Sequence, residues 1–137
     1  MNYIKQTPVA VLATLMTLLS TGCSTPVDPA NRNKFVGTWN GTYGCDGGST
    51  IADKMTIATK SDNLELTITI HADSENPDQV NGTLTANNEI TISEQSMGGG
   101  PGKGRIVYQT DGTLEYIQSG GGITCEGSGY AKKGRDG

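Results

Sequence analysis

From Lys34 onward, apolar and polar residues alternate with a period of two, and no stretch carries the three- and four-residue spacing of an amphipathic helix. The clearest segment is 64–71. Leu64, Leu66, Ile68 and Ile70 fall on one face, and Glu65, Thr67, Thr69 and His71 on the other. Upstream, Phe35, Gly37, Trp39, Gly41, Tyr43 and Cys45 share one parity, so every aromatic of the first segment points the same way. A second segment covers about 50–59, with Met55 and Ile57 in phase. After a polar loop from His71 to Asp78 come a strand over 80–85, a turn at Asn87-Asn88 and a strand over 90–92. The glycine-rich stretch 98–104 reads as a mobile loop between strands. Strands over 105–110 and 113–119 flank Asp111-Gly112, a type I′ hairpin signal. The last strand covers 123–132, with Ile123, Cys125 and Gly127 in phase.

Eight short strands joined by hairpin-length turns predict an all-β fold, an eight-stranded antiparallel up-and-down (meander) barrel, in preference to a two-sheet sandwich. Composition agrees. The chain has 137 residues with 20 glycines, one Trp and one Phe, which excludes a long helical bundle and a doubly wound nucleotide-binding domain. On the first strand the glycines alternate with aromatics, as a tightly coiled small barrel requires.

The first residues change the address. Lys5 supplies a positive start, and residues 8–19 are almost wholly apolar or Thr, too short a run to anchor in a bilayer. The string Leu18-Leu19-Ser20-Thr21-Gly22-Cys23 resembles a bacterial lipobox, and Ser24 follows the cysteine in place of an acidic residue. The resemblance implies an outer-membrane lipoprotein of a Gram-negative envelope, with residues 1–22 as signal peptide and Cys23 lipidated. Secretion with Cys23 as an ordinary thiol is the other reading. Residues 23–34 then form a tether, 35–133 the barrel and 134–137 a loose tail. With Cys23 taken by lipid, Cys45 and Cys125 remain as the pair for a disulfide, which persists in an exported protein. In a barrel of this order it staples the first strand to the last and stabilises the fold by roughly 4 kcal/mol in the chain-entropy model. The same pairing sets Phe35 near Arg135.

Gly37-Thr38-Trp39 resembles the Gly-x-Trp motif of the lipocalins and the wider calycin group, and the strand order over 35–133 is similar to the lipocalin-like domains of small bacterial lipoproteins. The resemblance implies that Trp39 plugs one barrel end and that the mouth holds a ligand cavity. In the family an arginine of the last strand covers the Trp; here Lys132, Lys133 and Arg135 are the cations near that place. Phe35, Tyr43, Tyr108 and Tyr116 are the candidate pocket lining, with plain core packing as their other reading. A second resemblance is to membrane-bound inhibitors of c-type lysozyme. It rests on Tyr43-Gly44-Cys45-Asp46-Gly47-Gly48, which fits their Tyr-x-Cys-x-x-Gly pattern. Their inhibitory Ser-Gly loop has its nearest string here in Ser128-Gly129-Tyr130, which falls within the last strand.

Candidate chemistry is sparse. His71 is the one histidine, and with no nucleophile or oxyanion hole indicated beside it, it reads as a solvated strand residue. Gly98–Gly104 contains Gly-Lys but has Met97 where a phosphate-binding loop needs Gly, and Gly104 where it needs Ser or Thr. Asp73, Glu75 and Asp78 depart from calcium-loop spacing, with Pro77 at a ligand position. Cys45 and Cys125 lack the spacing and histidine partners of a metal site. The sequons Asn40-Gly-Thr42 and Asn81-Gly-Thr83 carry no weight in a bacterial context. The formal net charge of −4 becomes one unit more negative once Lys5 leaves, which argues against nucleic acid and permits a cationic partner. The expectation is a non-catalytic envelope lipoprotein without catalytic residues, metal or cofactor. Its lipocalin-like barrel binds a small apolar ligand or a surface partner; the alternative is an inhibitor of a cationic hydrolase such as c-type lysozyme.

Overall fold

A sheet with one apolar face has to bury that face, and here it does so by curling until its first and last strands meet. The computed structural model describes residues 26–61 and 63–133. Its strands are β1 (Gly37–Cys45), β2 (Ile51–Thr59), β3 (Glu65–Ile70), β4 (Asp78–Ala86), β5 (Glu89–Met97), β6 (Gly100–Tyr108), β7 (Leu114–Gly120) and β8 (Ile123–Lys132). They form a closed barrel in sequence order, every neighbouring pair antiparallel. β1 closes the barrel on β8 through Tyr43↔Gly127 and Cys45↔Cys125, and the two cysteines form a disulfide.

The parity read from the sequence decides what lies inside. Met55, Ile57, Leu66, Ile68, Ile70, Val80, Leu84, Ile90, Ile92, Ile106, Leu114 and Tyr116 join one buried cluster with Phe35, Trp39 and Tyr130. Outward positions are polar, among them Thr83, Thr85 and Thr91. Irregularities in pairing change the inward phase where simple alternation fails. Between Ile92 and Gln95 the register of β5 on β6 shifts, which brings Met97 inward. In β8, Gly127 and Tyr130 are both buried although they lie three apart, and Gly129 between them has φ +63°.

Several sequence expectations need correction. The stretch 98–104 is not a mobile loop: only Gly98 and Gly99 turn, and Gly100–Gly104 begins β6, paired to β5 and β7. Glycine propensity reads as loop, but pairing with β5 from Gly100 onward and with β7 from Lys103 onward overrides it. Asp111-Gly112 is not a two-residue hairpin. β6 ends at Tyr108, and the loop closes through Gln109 N–H on Thr113 O at 2.8 Å, with the Asp111 carboxylate accepting from the Thr113 amide at 3.0 Å. Residues 29–34, read as the end of a tether, are folded into a 3-10 helix, Pro29–Lys34, capped by Asp28. Phe35 therefore precedes β1 and does not pair with the last strand. Arg135, Cys23 and residues 1–22, read from the sequence as a signal peptide, lie outside the described residues.

Candidate functional site

The two ends of the barrel differ in chemistry. At the end where the chain enters, the 3-10 helix is held by Arg32, whose guanidinium donates to Glu65 O at 3.0 Å and Lys60 O at 3.4 Å. Trp39 Nε1 donates to Phe35 O at 2.8 Å, which satisfies the buried indole. Tyr108 meets Phe35 and Trp39 edge-on, with centroids 5.8 and 6.4 Å apart. Lys132 of β8 lays its ammonium 5.4 Å from the Trp39 ring centre, and Lys34 lies 5.1 Å from that of Tyr108. This end is shut by aromatics and roofed by cations.

The opposite end carries the turns 46–50, 71–77, 98–99 and 121–122, and polar side chains occupy core-parity positions there. Asp53 is in phase with Met55 and Ile57 and is only 4% exposed in its side chain. It is held from both sides. His71 Nδ1 lies 2.6 Å from Asp53 Oδ1, and the Tyr130 hydroxyl donates to Oδ2 at 2.7 Å. Gly41 and Gly127 make room for Tyr130: a Cβ at either would come within 2.8 or 2.5 Å of its ring. Tyr43 packs edge-on against His71 at 4.6 Å and stacks on Tyr116 at 6.2 Å. Both of these tyrosines donate to one acceptor, Gln118 Oε1, at 3.2 and 2.7 Å. Burial first, then the Asp53 and Asp78 carboxylates, pushes the Tyr43 phenol above its ordinary pKa. Tyr116 and Tyr130 are pushed up further, chiefly by burial, with the bond to Asp53 the next cause at Tyr130.

The candidate lining residues are thus not one group. Phe35 and Tyr108 lie at the shut end, and Tyr43 and Tyr116 at the polar end. His71 is not a solvated strand residue. It sits just past β3 at φ +56°, which swings its ring to Asp53 and leaves its side chain 26% exposed. Of the acidic loop, Asp73 pairs with Lys54 at 2.9 Å and Asp78 opens β4. The sequence reading missed Asp53, Gln118 and Tyr130 as members of the cluster. For Asp53 and Gln118 the available signal was a polar residue on the buried parity near a strand end. For Tyr130 the phase change at Gly129 hid it.

Two clefts of similar size lie on this rim, beside a smaller one at the 46–50 turn. One, of about 530 Å³, includes Tyr43, Ile51, Asp53, Lys54, His71 and Asp73 among its lining. The other, of about 510 Å³, runs over the disulfide, with Asp46, Met97, Gln118 and Ile123. The chain is similar to a designed protein. That solved structure is described as a redesigned beta barrel; it matches with a TM-score of 0.60 and 15% identity over 80% of this chain and 100% of the other. The likeness shows the fold alone. No protein-family model and no curated protein matches the chain.

Chemically, the cluster is an oriented imidazole, a buried carboxylate and hydroxyls that share acceptors. Among the described residues no hydroxyl or thiol nucleophile is bonded to His71. What the end presents is charge, hydrogen-bonding groups and aromatic surface beside two clefts.

Proposed function

We propose that this protein is a non-catalytic binding lipoprotein of the bacterial outer membrane, anchored through Cys23, and that it works through the polar end of a calycin-type barrel. One observation carries the reading: the interior is filled, with Leu66, Ile68, Leu84, Ile90 and Ile106 all at most 1% exposed, while the clefts lie on the rim beside the Asp53 cluster. A surface partner therefore fits better than an apolar ligand carried inside. Backbone strain supports the same end. Among the described residues, the two non-glycine residues with positive φ, Asp46 and His71, are both on that rim. The calycin reading draws support from Trp39 at the shut end and from Lys132 covering it from the last strand.

The test uses oleate as an apolar probe of the interior. In a titration followed by residue-resolved NMR, signals of Leu66, Ile68 and Leu84 stay unchanged at excess oleate. Movement of those signals would replace the proposal with a ligand-carrying barrel. The anchor is tested apart from this: Cys23→Ser should release the protein from the membrane fraction and remove the mass of the lipid.

The inhibitor of a cationic hydrolase such as c-type lysozyme is a second reading, favoured by Tyr43-x-Cys45 and by the acidic rim. Ser128-Gly129-Tyr130 lends it nothing, because Tyr130 is fully buried in β8 and offers no aromatic to a cleft. Unchanged lysozyme activity at excess protein eliminates it.

A further inference from the structure

Among the described residues, the two large hydrophobic side chains left exposed are Ile51, at 63%, and Ile123, at 49%. They are not scattered. Ile51 starts β2 opposite Tyr43, and Ile123 starts β8, two residues before the cysteine bonded to Cys45. Both therefore flank the end of β1, on the rim of the polar end, and each lines one of the two clefts. Singly exposed hydrophobics need no explanation, but these two stand on either side of a cross-linked strand end, one in each cleft.

We propose that this rim is a docking surface for a cationic polypeptide segment that also carries apolar side chains. The proposal rests on the reading that the polar end is the working end, and it names the partner's chemistry. Charge decides between the possible occupants. Asp46, Asp53, Asp73, Glu75 and Asp78 gather at this end, and Lys54 there is already paired with Asp73. Arg32, Lys34, Lys60, Lys132 and Lys133 lie at the other, interspersed there with Asp28, Glu65, Glu89, Asp111 and Glu115, so that end is close to neutral. The charge is thus uneven along the barrel axis, near neutral at the shut end and acidic around the exposed isoleucines. A second copy meeting this face would set acid against acid, which costs free energy. An anionic lipid surface would be repelled for the same reason. A lysine- or arginine-bearing segment gains from the field, and its apolar side chains cover Ile51, Ile123 and the cleft floor made by Met97 and the disulfide. The turns at Gly47-Gly48, Gly98-Gly99 and Gly121-Gly122 put no side chain in the way. The disulfide fixes the spacing of the two strands that end at the rim, so little order has to be imposed on binding.

The experiment compares two short synthetic peptides, one of leucine and lysine and one of leucine and glutamate, titrated calorimetrically into the purified protein. The leucine–lysine peptide binds, and its affinity falls about tenfold as salt rises from low to well above physiological strength. The leucine–glutamate peptide does not bind. Ile51→Ser and Ile123→Ser each weaken binding about tenfold, the loss expected from one uncovered aliphatic side chain. Both side chains are exposed, so the melting temperature of these variants stays that of the parent. Asp46→Asn weakens binding by a few-fold. Equal binding of the two peptides, binding indifferent to both isoleucine substitutions, or no binding of either peptide overturns the proposal. The oleate titration above decides the polar-end reading independently, so the two failures are distinguishable.

Discussion

Tyr130 shows how much one side chain can depend on residues that have none. Its ring fills the space left by Gly41 and Gly127, and its hydroxyl reaches the buried Asp53. Gly127→Ala would place a methyl 2.5 Å from that ring. It should cost about 1–3 kcal/mol in urea unfolding, as overpacking of a dense core does. The phenols also set a pH limit. Tyr43, Tyr116 and Tyr130 all have folded-state pKa values raised above the ordinary 10.0, with burial as the first cause. The unfolded chain therefore ionises first, so their contribution is complete below about pH 10 and is lost as pH rises above it. The melting temperature should begin to fall above that pH, while these phenols titrate later than free tyrosine by ultraviolet absorbance. A melting temperature flat to well above pH 11 would contradict this. In the sequence, Trp39 and Tyr43 were legible because the parity of the first strand reports them. His71 was not, because its left-handed backbone conformation reverses the face that parity assigns.

β6 separates what propensity says from what pairing does. Its first five residues, Gly-Pro-Gly-Lys-Gly, look like a loop, yet they pair with β5, and Lys103 and Gly104 pair with β7 as well. A Cβ at Gly104 would lie 2.3 Å from the Ile117 carbonyl oxygen, whereas one at Gly100 meets nothing within 4 Å. Gly104→Ala should therefore destabilise the fold by about 1–3 kcal/mol and Gly100→Ala should be close to silent. A mobile loop would tolerate both. The seam between β1 and β8 was more legible, since a barrel in strand order brings a cysteine at the end of the first strand to one at the start of the last. Replacing both Cys45 and Cys125 with Ala should lower the unfolding free energy by about 4 kcal/mol at most, read from the urea midpoint. The 3-10 helix was hidden in a segment with two prolines and no apolar period. It is held by capping and by Arg32 on strand carbonyls, neither of which leaves a periodic trace.

At the scale of the whole molecule, the barrel has one shut end of mixed charge and one polar acidic end. The fold follows from alternation and turn spacing, so the sequence carried it almost complete. The site does not, because it joins Asp53 of β2, His71 past β3, Gln118 of β7 and Tyr130 of β8, residues brought together only by closure. On the proposed reading this end, and neither the interior nor the outer wall, meets the partner. Site-specific photocrosslinking in intact cells tests it most directly. A photoreactive residue replacing Ile51 should capture a protein partner, while the same residue replacing Thr85 on the outer wall captures none. Capture from position 85 but not from position 51 would contradict the claim.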